Sequence, residues 1–168
     1  RTGIRDAVAG RRRGRLVRAV NDLQNLVEAT ERIIEQTRTR LCHGEALIGA
    51  QAFRPFFERH VTDVVMIETL NNGFSEARRI ADLAAHYDTM FSPHNYMSPL
   101  ATLINAHLCA VLPNCEILEI DMDDVPWKWD LIDQPIEIER GELVVPHRPG
   151  WGADVVESVV AAHPLRSA

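Results

Sequence analysis

The chain has few cysteines and no long apolar run, and both absences narrow the class of protein. Its three cysteines, Cys42, Cys109 and Cys115, show no C-x-x-C spacing, and an odd number cannot close into a complete disulfide framework. No stretch of about 18 apolar residues is present to cross a bilayer, and the N-terminus lacks the apolar segment of a secretion signal. We therefore expect a cytoplasmic protein in a reducing compartment, with no membrane partner.

Several catalytic motifs are absent as well, which removes common reaction classes. The sequence has no glycine-rich phosphate loop and no Gly-x-Ser-x-Gly nucleophile elbow. No two histidines stand four residues apart, so the helical zinc pattern is missing. What is present is a chain of 168 residues, 46% of them apolar, which suits one domain with a buried core.

Basic charge is concentrated in the first 20 residues. This segment has seven arginines against one acid, Asp6, and because the whole chain has a net charge of −6, the remainder carries −12. A basic arm before an acidic body is typical of some nucleic-acid-binding tails. Since Lys128 is the only lysine, arginine is equally well explained as the default cation of this chain. The charge pattern thus leaves open a non-catalytic binding protein whose arm contacts nucleic acid or another acidic partner.

Short strand-like runs alternate with amphipathic helical patterns along the middle of the chain. Apolar residues recur at helical spacing over about residues 21–37, 52–60, 74–86 and 98–111. Strand-like runs follow at 40–42, 63–67, 89–91 and 116–118. This order predicts an α/β fold with right-handed crossovers and a parallel sheet, a partial TIM-type (β/α) barrel with about half of the eight units. Beyond residue 125 we expect a hairpin around Arg140-Gly141, a closing helix at 153–161 and a mobile tail after Pro164.

Each strand-like run leads into an ionisable residue. The four residues are Glu45, Glu68, His94 and Glu119. In a parallel barrel the C-terminal ends of all strands open onto one face, so residues that begin the following loops converge on one pocket. Carboxylates are hard oxygen ligands suited to Mg²⁺, and a histidine can move a proton near neutral pH. The pattern predicts a single site built from three carboxylates and a histidine.

Three further polar residues have competing interpretations. His43 lies two residues before Glu45 and either shares its face or only packs. Asn95 follows His94 and is a candidate for contact with a hydroxylated substrate, although loop asparagines usually serve turns. His107 falls on the apolar stripe of its helix, so we predict a structural role for it.

Six short motifs occur in a fixed order along the chain. They are Cys42-His43-Gly44-Glu45, Asp63-Val64-Val65-Met66-Ile67-Glu68, Asn72-Gly73-Phe74-Ser75-Glu76-Ala77, Ser92-Pro93-His94-Asn95, Pro113-Asn114 and Ile117-Leu118-Glu119. In this order they resemble the C-terminal half of the enolase superfamily, within its mandelate racemase and muconate lactonizing enzyme branch and particularly its acid-sugar dehydratases. The resemblance covers most of the chain, from Leu26 to Val160.

The resemblance implies Mg²⁺-assisted removal of the proton next to a substrate carboxylate, through an enediolate that the metal stabilises. Glu45 matches the third of three metal-binding carboxylates. His94 is similar to the catalytic histidine, acting as base on the α-proton or as acid on a departing β-hydroxyl. Glu119 resembles the acid that hydrogen-bonds the substrate carboxylate or the enediolate. Glu68 stands where the family usually has the aspartate that orients the histidine.

The chain also departs from the family pattern. Glu68 is one methylene longer than aspartate, so it either reaches His94 in another geometry or weakens the dyad. The other two metal ligands belong to strands before the helix at Asn21, but no acid lies between Asp6 and Asp22. The lid domain and the lysine that serves as the opposite base have no counterpart. We therefore expect a truncated member with little activity alone, and Mg²⁺ weakly bound or absent, because this ion gives up its water shell reluctantly.

The expected organisation has three parts: an Arg-rich segment at 1–20, a partial enolase-like βα barrel at 21–125 and a C-terminal extension at 126–168. An incomplete barrel leaves open sheet edges, so we expect self-association. The small-molecule partner implied by the resemblance is a carboxylate of the acid-sugar class, and the resemblance does not choose among dehydration, racemisation and cycloisomerisation. Nucleic-acid binding ranks lower, because the arginines have no interleaved aromatic residues.

Overall fold

The middle of the chain folds as alternating strands and helices, as the sequence predicts. The computed structural model describes residues 16–122 and 125–164. In chain order its elements are α1 (Leu16–Ile34), β1 (Cys42–His43), α2 (Ala50–Glu58), β2 (Val64–Glu68), α3 (Thr69–Asn72), α4 (Phe74–Ala85), β3 (Met90–His94), α5 (Pro99–Val111), a 3-10 helix (Lys128–Leu131), β4 (Ile138–Glu139), β5 (Glu142–Leu143) and α6 (Glu157–Ala162). Helix α1 begins inside the segment predicted to be a separate Arg-rich arm, and the first 15 residues of that arm lie outside the described part of the chain.

A parallel sheet in the order β1-β2-β3 organises the fold. The register pairs Val65 with Phe91 and Glu68 with His94. Because successive side chains of a strand point to opposite faces, Val65 and Phe91 lie on one face of the sheet. The other pair in this register, Glu68 and His94, lies on the opposite face of the sheet, at the C-terminal ends of β2 and β3.

The helices cover the face that carries Val65 and Phe91. One cluster of buried residues joins α2, β2, α4, β3 and α5, and consists of Phe53, Phe57, Val65, Ile67, Ala77, Ile80, Ala81, Ala84, Phe91, Leu108 and Leu112. The rings of Phe53 and Phe57 stack with centroids 6.3 Å apart, and each ring is at most 1% exposed. Burying a side chain of this size contributes about 1.5–3 kcal/mol, so this cluster holds the strands in register from one side.

A smaller cluster attaches the first helix. Val27 of α1 packs with Phe56 and Val61, all of them at most 3% exposed. Helix α1 ends at Ile34, three residues before the predicted end, and α2 begins two residues before its predicted start. Differences of this size are usual at frayed helix ends.

The predicted fourth strand at 116–118 is wrong as a regular strand. The chain makes one parallel bridge there, between Cys115 and Phe91, supported by hydrogen bonds from Phe91 N to Asn114 O (2.8 Å) and from Glu116 N to Phe91 O (2.9 Å). Beyond that bridge Ser92 Oγ donates to Ile117 O at 2.9 Å. A side-chain bond thus replaces the backbone ladder, yet the segment still follows the edge of β3.

The C-terminal part folds back onto the helices. The predicted hairpin is confirmed as β4 and β5, whereas the predicted helix at 153–161 is the shorter α6. The ring of Trp151 contacts the rings of Phe74 (5.2 Å between centroids) and His107 (5.8 Å). His107 Nε2 also lies 3.3 Å from Trp151 O, which confirms its structural role. The predicted mobile tail beyond Pro164 lies outside the described residues.

A buried ion pair joins the 3-10 helix to the chain segment that follows Glu119. Lys128 donates to Asp121 with both side chains at most 5% exposed.

Within residues 16–122 and 125–164, every helix falls short of the length and apolarity that crossing a membrane requires.

Candidate functional site

Glu68 and His94 face each other at the C-terminal edge of the sheet. They are the last residues of β2 and β3 and are directly paired in the parallel register. The predicted strand at 89–91 continues in the structure as far as His94, so the histidine is held by a strand rather than by a loop. Their side chains meet, with His94 Nδ1 2.7 Å from Glu68 Oε2.

The Glu68 carboxylate is buried and makes two contacts at once. Its side chain is 3% exposed, against 26% for that of His94. While Oε2 contacts the histidine, Oε1 accepts a hydrogen bond from Leu70 N at 3.0 Å and thereby caps α3. A carboxylate that accepts from Nδ1–H fixes the ring orientation and leaves Nε2 as the atom able to exchange a proton.

Glu119 is hydrogen-bonded to Asn95, the residue that follows His94 at the same edge of the sheet. Asn95 N donates to Glu119 Oε2 at 2.9 Å, and Asn95 Nδ2 donates to Glu119 O at 2.7 Å. The carboxylate of Glu119 is therefore tied to the residue that follows His94. The structure brings Glu68, His94 and Glu119 together along two strands and the neighbouring chain segment.

The side chain of Asn95 is buried and makes hydrogen bonds within the protein. It is 2% exposed, and its amide also donates to Thr102 Oγ1 at 2.9 Å, while its Oδ1 accepts from Asn105 Nδ2 at 3.2 Å. With these contacts the side chain holds the loop after β3 against α5. Its predicted contact with substrate gains no support from this position.

Glu45 lies in the exposed turn after β1, at the same edge of the sheet. Its Oε2 accepts from Gly44 N at 3.2 Å. Gly44 has φ +125°, and a Cβ there would stand 2.8 Å from Met66 O and 3.0 Å from Phe53 Cε1. Only glycine adopts this conformation without strain, so Gly44 lets the chain turn tightly over β2 and sets the place from which Glu45 projects.

Asn72 joins the loop of Glu45 to that of Glu68. Its Oδ1 accepts from Gly49 N at 2.8 Å, and its Nδ2 donates to Leu47 O at 3.1 Å and to Glu68 O at 3.0 Å. The sequence analysis did not predict this bridging role of Asn72. The signal for its bridging role was its place directly before Gly73, at the end of a short segment that follows Glu68.

The pKa of the Cys42 thiol is affected by several carboxylates. It is exposed to solvent, yet desolvation by the atoms packed around it raises the pKa of the thiol, and the carboxylates of Glu45, Glu116 and Glu119 raise it further. Glu45 and Glu119 thus act on one and the same thiol.

Of the two alternatives for His43, sharing the face of Glu45 or packing inside the protein, the structure supports packing. It is paired in register with Val65, on the helix-covered face. Its ring meets Phe56 edge-on with centroids 5.2 Å apart, and its Nε2 lies 3.3 Å from Val61 O. It therefore points away from the face that carries Glu68 and His94, which gives its predicted role in substrate binding no support.

The donors expected for Mg²⁺ are incomplete in the described residues. Over residues 16–122 and 125–164, no group of three or more His, Cys, Asp or Glu side chains lies close enough together to hold a metal ion. Mg²⁺ prefers near-octahedral oxygen coordination and is commonly bound by one or two carboxylates with waters and substrate oxygens. Glu45 offers one such carboxylate, so the described residues supply fewer protein ligands than the three carboxylates that the family resemblance implies.

Comparisons with known proteins identify the family. The profile of the family described as enolase C-terminal domain-like matches residues 18–159. The chain belongs to this family, and the match places it with the C-terminal part of the enolase superfamily, which confirms the resemblance drawn from the motifs.

Curated relatives include sugar-acid dehydratases. The chain is 30% identical over 144 residues to D-xylonate dehydratase of Haloferax volcanii, covering 85% of this chain and 34% of that protein. It is 30% identical over 136 residues to D-gluconate dehydratase of Thermoproteus tenax, covering 80% of this chain and 27% of that protein. The chain thus spans about a third or less of the length of these relatives.

Solved structures share the fold. A Burkholderia xenovorans protein provisionally assigned as an L-alanine-DL-glutamate epimerase, solved with magnesium and fumarate, is 36% identical with a TM-score of 0.79, covering 82% of this chain and 34% of that one. A mandelate racemase/muconate lactonizing enzyme-like protein from Rubrobacter xylanophilus is 32% identical with a TM-score of 0.75, covering 82% of this chain and 36% of that one.

Proposed function

We propose that this chain carries the proton-transfer residues of an enolase-type active site, which removes the proton next to the carboxylate of an acid-sugar substrate. In this proposal the βα array is part of a (β/α) barrel, and its C-terminal edge is the substrate face. The observation that carries the proposal is the contact between His94 Nδ1 and Glu68 Oε2 at 2.7 Å. A histidine held in this way at the end of a parallel strand is built to move a proton from its other ring nitrogen.

His94 is the proposed proton carrier. Its side chain is 26% exposed, enough for Nε2 to reach a bound molecule, while the buried Glu68 carboxylate holds Nδ1–H. As the ring gains a proton at Nε2, this carboxylate stabilises the positive charge that develops. His94 would act as base on the α-proton, or as acid on a departing β-hydroxyl.

Glu119 is the proposed partner of the substrate carboxylate or of the enediolate. One of its oxygens, Oε2, is fixed by Asn95 N at 2.9 Å, so the carboxyl group has a defined direction. If it carries a proton, it can donate a hydrogen bond to the oxygen on which negative charge develops.

Glu45 is the proposed magnesium ligand. Its carboxylate has the right donor chemistry, but the described residues offer no complete ligand set. No step of the proton transfer is therefore assigned to the metal. The magnesium-bound neighbour from Burkholderia xenovorans supports Mg²⁺ as the ion to test.

Dehydration is the preferred outcome after proton removal. Relatives at 30% identity are dehydratases of D-xylonate and D-gluconate, while a structural neighbour is assigned as an epimerase. None of the comparisons supports the alternative of an arginine arm that binds nucleic acid, and most of that arm lies outside the described residues.

Proton abstraction can be tested separately from the later steps. The purified chain is incubated with Mg²⁺ and a panel of acid sugars in D₂O, and deuterium at the α-carbon and keto-acid product are followed by NMR and mass spectrometry. In keeping with the little activity expected of a truncated member, we expect slow exchange in the wild type and a fall to the background rate in His94→Asn. Glu45→Gln should lower the apparent affinity for Mg²⁺ in calorimetry.

His86→Asn is the matched control, because His86 is exposed and its ring lies 2.7 Å from the backbone oxygen of Asp82, away from Glu68 and His94 in the part of the chain that the structure describes. It should exchange at the wild-type rate. Absence of both exchange and product in the wild-type chain with Mg²⁺, across the whole panel, would refute the proposed activity of this chain.

A further inference from the structure

The only lysine of the chain lies buried next to the loop that follows β3. Lys128 begins the 3-10 helix and is 4% exposed, and its ammonium group donates to the carboxylate of Asp121. A charge taken out of water is costly unless it is paired, so this ion pair fixes the place of the ammonium group. The proton transfer described above uses neither residue.

The Lys128 ammonium group also faces an aromatic ring. Its Nζ lies over the ring of Tyr96, 6.0 Å from the ring centroid, at the limit of the range for a cation–π interaction. This interaction is stronger when the cation is desolvated, as Lys128 is. One face of the ring is therefore turned toward a buried charge, while Tyr96 as a whole is 59% exposed.

Tyr96 is connected to both chain segments that build the proposed site. It lies two residues beyond the end of β3, and its neighbour Asn95 holds Glu119 through two hydrogen bonds. Asp121, which pairs with Lys128, follows Glu119 by two residues. The loop after β3 thus meets the segment after Glu119 twice, once through Asn95 and once through the contact of Tyr96 with Lys128.

These contacts distinguish Tyr96 from an ordinary exposed side chain, which needs no explanation. The backbone directly before it is anchored by Asn95, which is 2% exposed, and Lys128 lies against its ring. A side chain that is already held loses little conformational freedom when it meets a ligand. The exposed part of the ring offers apolar surface, and its hydroxyl can donate and accept hydrogen bonds.

We propose that Tyr96 is a specificity-determining residue that contacts the hydroxylated carbon chain of an acid sugar beyond its β-carbon, and that Lys128 is the positioning residue that orients the Tyr96 ring. The inference rests on the proposed function, because it needs the acid sugar to bind with its carboxylate end near His94 and Glu119. A polyhydroxylated chain presents C–H groups and hydroxyls, which match the ring and the phenol group of a tyrosine. A short hydroxy acid has no chain to fill this contact.

Two ligands of different length test the role of Tyr96. Affinities of the full chain with Mg²⁺ are measured by NMR titration for D-gluconate and for D-glycerate, which ends at its β-carbon. We expect Tyr96→Ala to weaken the binding of D-gluconate about five-fold and to leave that of D-glycerate within about two-fold of the wild type. Tyr87→Phe is the matched control, since Tyr87 is the only other tyrosine and its ring stacks on Phe57 in the main apolar cluster.

The ring of Tyr96 can also be observed directly. Because the chain has two tyrosines, labelling with meta-fluorotyrosine gives two fluorine NMR signals, which Tyr96→Phe and Tyr87→Phe assign. D-gluconate should shift the signal of Tyr96 and leave that of Tyr87 in place. D-glycerate should shift the Tyr96 signal by a much smaller amount.

The role of Lys128 is tested in a double variant. Lys128→Met alone strips a buried carboxylate of this counter-charge, which strongly destabilises a fold, so the variant Lys128→Met/Asp121→Asn is used. The fluorine signal of Tyr87 checks that its core is folded. We expect the Tyr96 signal to move toward its position in the urea-unfolded protein, and the preference for D-gluconate over D-glycerate to fall as in Tyr96→Ala. An unchanged signal and preference would overturn the positioning role of Lys128.

Deuterium exchange at the α-carbon of D-gluconate is recorded in the same samples, so that the inference and the proposed function can fail separately. Absence of exchange with the Tyr96-dependent preference intact would count against the proposed proton transfer alone. An equal effect of Tyr96→Ala on both ligands, a Tyr96 signal that does not respond to D-gluconate, or no binding of D-gluconate would each overturn the inference, whatever the exchange.

Discussion

The contact between Glu68 and His94 should be visible as an energetic coupling in the free energy of unfolding. Removing Glu68 alone gives an ambiguous result, because it deletes two contacts but also relieves the desolvation of a carboxylate that is only 3% exposed, a penalty of several kcal/mol. A double-mutant cycle cancels the desolvation and the lost cap of α3, since both occur in each arm that removes Glu68. Only the interaction with His94 remains.

The magnitude follows from the geometry. A hydrogen bond to a charged group contributes about 1.5–3 kcal/mol, and the 2.7 Å distance is that of a strong bond. Because the His94 side chain is 26% exposed, water competes for it, so we expect the lower end of the range, about 1.5 kcal/mol. Urea unfolding of the wild type, Glu68→Ala, His94→Ala and the double variant at neutral pH gives this value.

Arg54 and Glu58 provide the control cycle. They form an ion pair four residues apart on α2, with both side chains exposed to solvent. Solvent-exposed pairs of this kind contribute little to stability. A coupling between Glu68 and His94 no larger than that of the control pair would refute the dyad on which the proposed proton transfer depends.

Three further perturbations test how the site is held. Gly44→Ala should destabilise the fold by about 2–4 kcal/mol in urea unfolding, since it combines a strained φ with a clash against β2. Gly141 has open space around it, so the control variant Gly141→Ala should cost only about 1 kcal/mol. Asn72→Ala should speed amide exchange in the loop after β1 by about ten-fold, because each lost hydrogen bond contributes about 1 kcal/mol, whereas exposed Asn71→Ala should not. A hydrogen bond from the backbone at the start of α2 lowers the pKa of Glu76, so its stabilising contribution is present above its unfolded pKa and is lost as the pH falls through the lower folded value. The stability difference between wild type and Glu76→Gln should therefore shrink as the pH falls from the unfolded pKa of Glu76 through the lower folded value, and a difference that is constant with pH would contradict this assignment.

The parallel βα order could be read from the sequence because each element carries its own signal. The uninterrupted apolar run of β2 predicts a strand buried on both faces, and the apolar stripes of α4 and α5 mark helix faces that pack against the sheet. The sequence interpretation of helices on both faces is corrected by the structure, in which the helices cover the face of Val65 and Phe91. Strand ends follow from this order, which is why Glu68, His94 and Glu119 could be grouped without coordinates. Grouping needs only the direction of the strands, and the sequence specifies that direction.

The contacts within the group could not be read in the same way. Whether Asn95 faces a substrate or the protein depends on Thr102 and Asn105, which stand one and two turns into the next helix, and no local pattern states which side chain they meet. His43 shows the same limit, since the register with β2 decides its face and a shift of one residue would reverse it. The prediction of a strand at 116–118 was wrong because β-propensity is a local property of the sequence. A strand also needs a partner backbone along its whole length for its hydrogen bonds.

The length of Glu68 is the feature that most directly links this geometry to chemistry. The side chain reaches His94 Nδ1 with one oxygen and Leu70 N with the other, at 2.7 Å and 3.0 Å. Glu68→Asp shortens the reach by one methylene, about 1.5 Å, and a carboxylate anchored on the same buried strand can then keep one of the two contacts. We expect a loss of about 1–2 kcal/mol in stability and a coupling to His94 reduced by half or more.

The two possible outcomes for the aspartate variant lead to different conclusions. If the coupling to His94 survives and the cap of α3 is lost, amide exchange at Leu70 should increase while proton abstraction is retained. If the cap survives instead, the histidine loses its anchor, and any exchange at a substrate α-carbon should fall with it. An aspartate variant that keeps both the coupling and the protection of Leu70 would show that the carboxylate does not need its full length, and that the glutamate at this position carries no separate role.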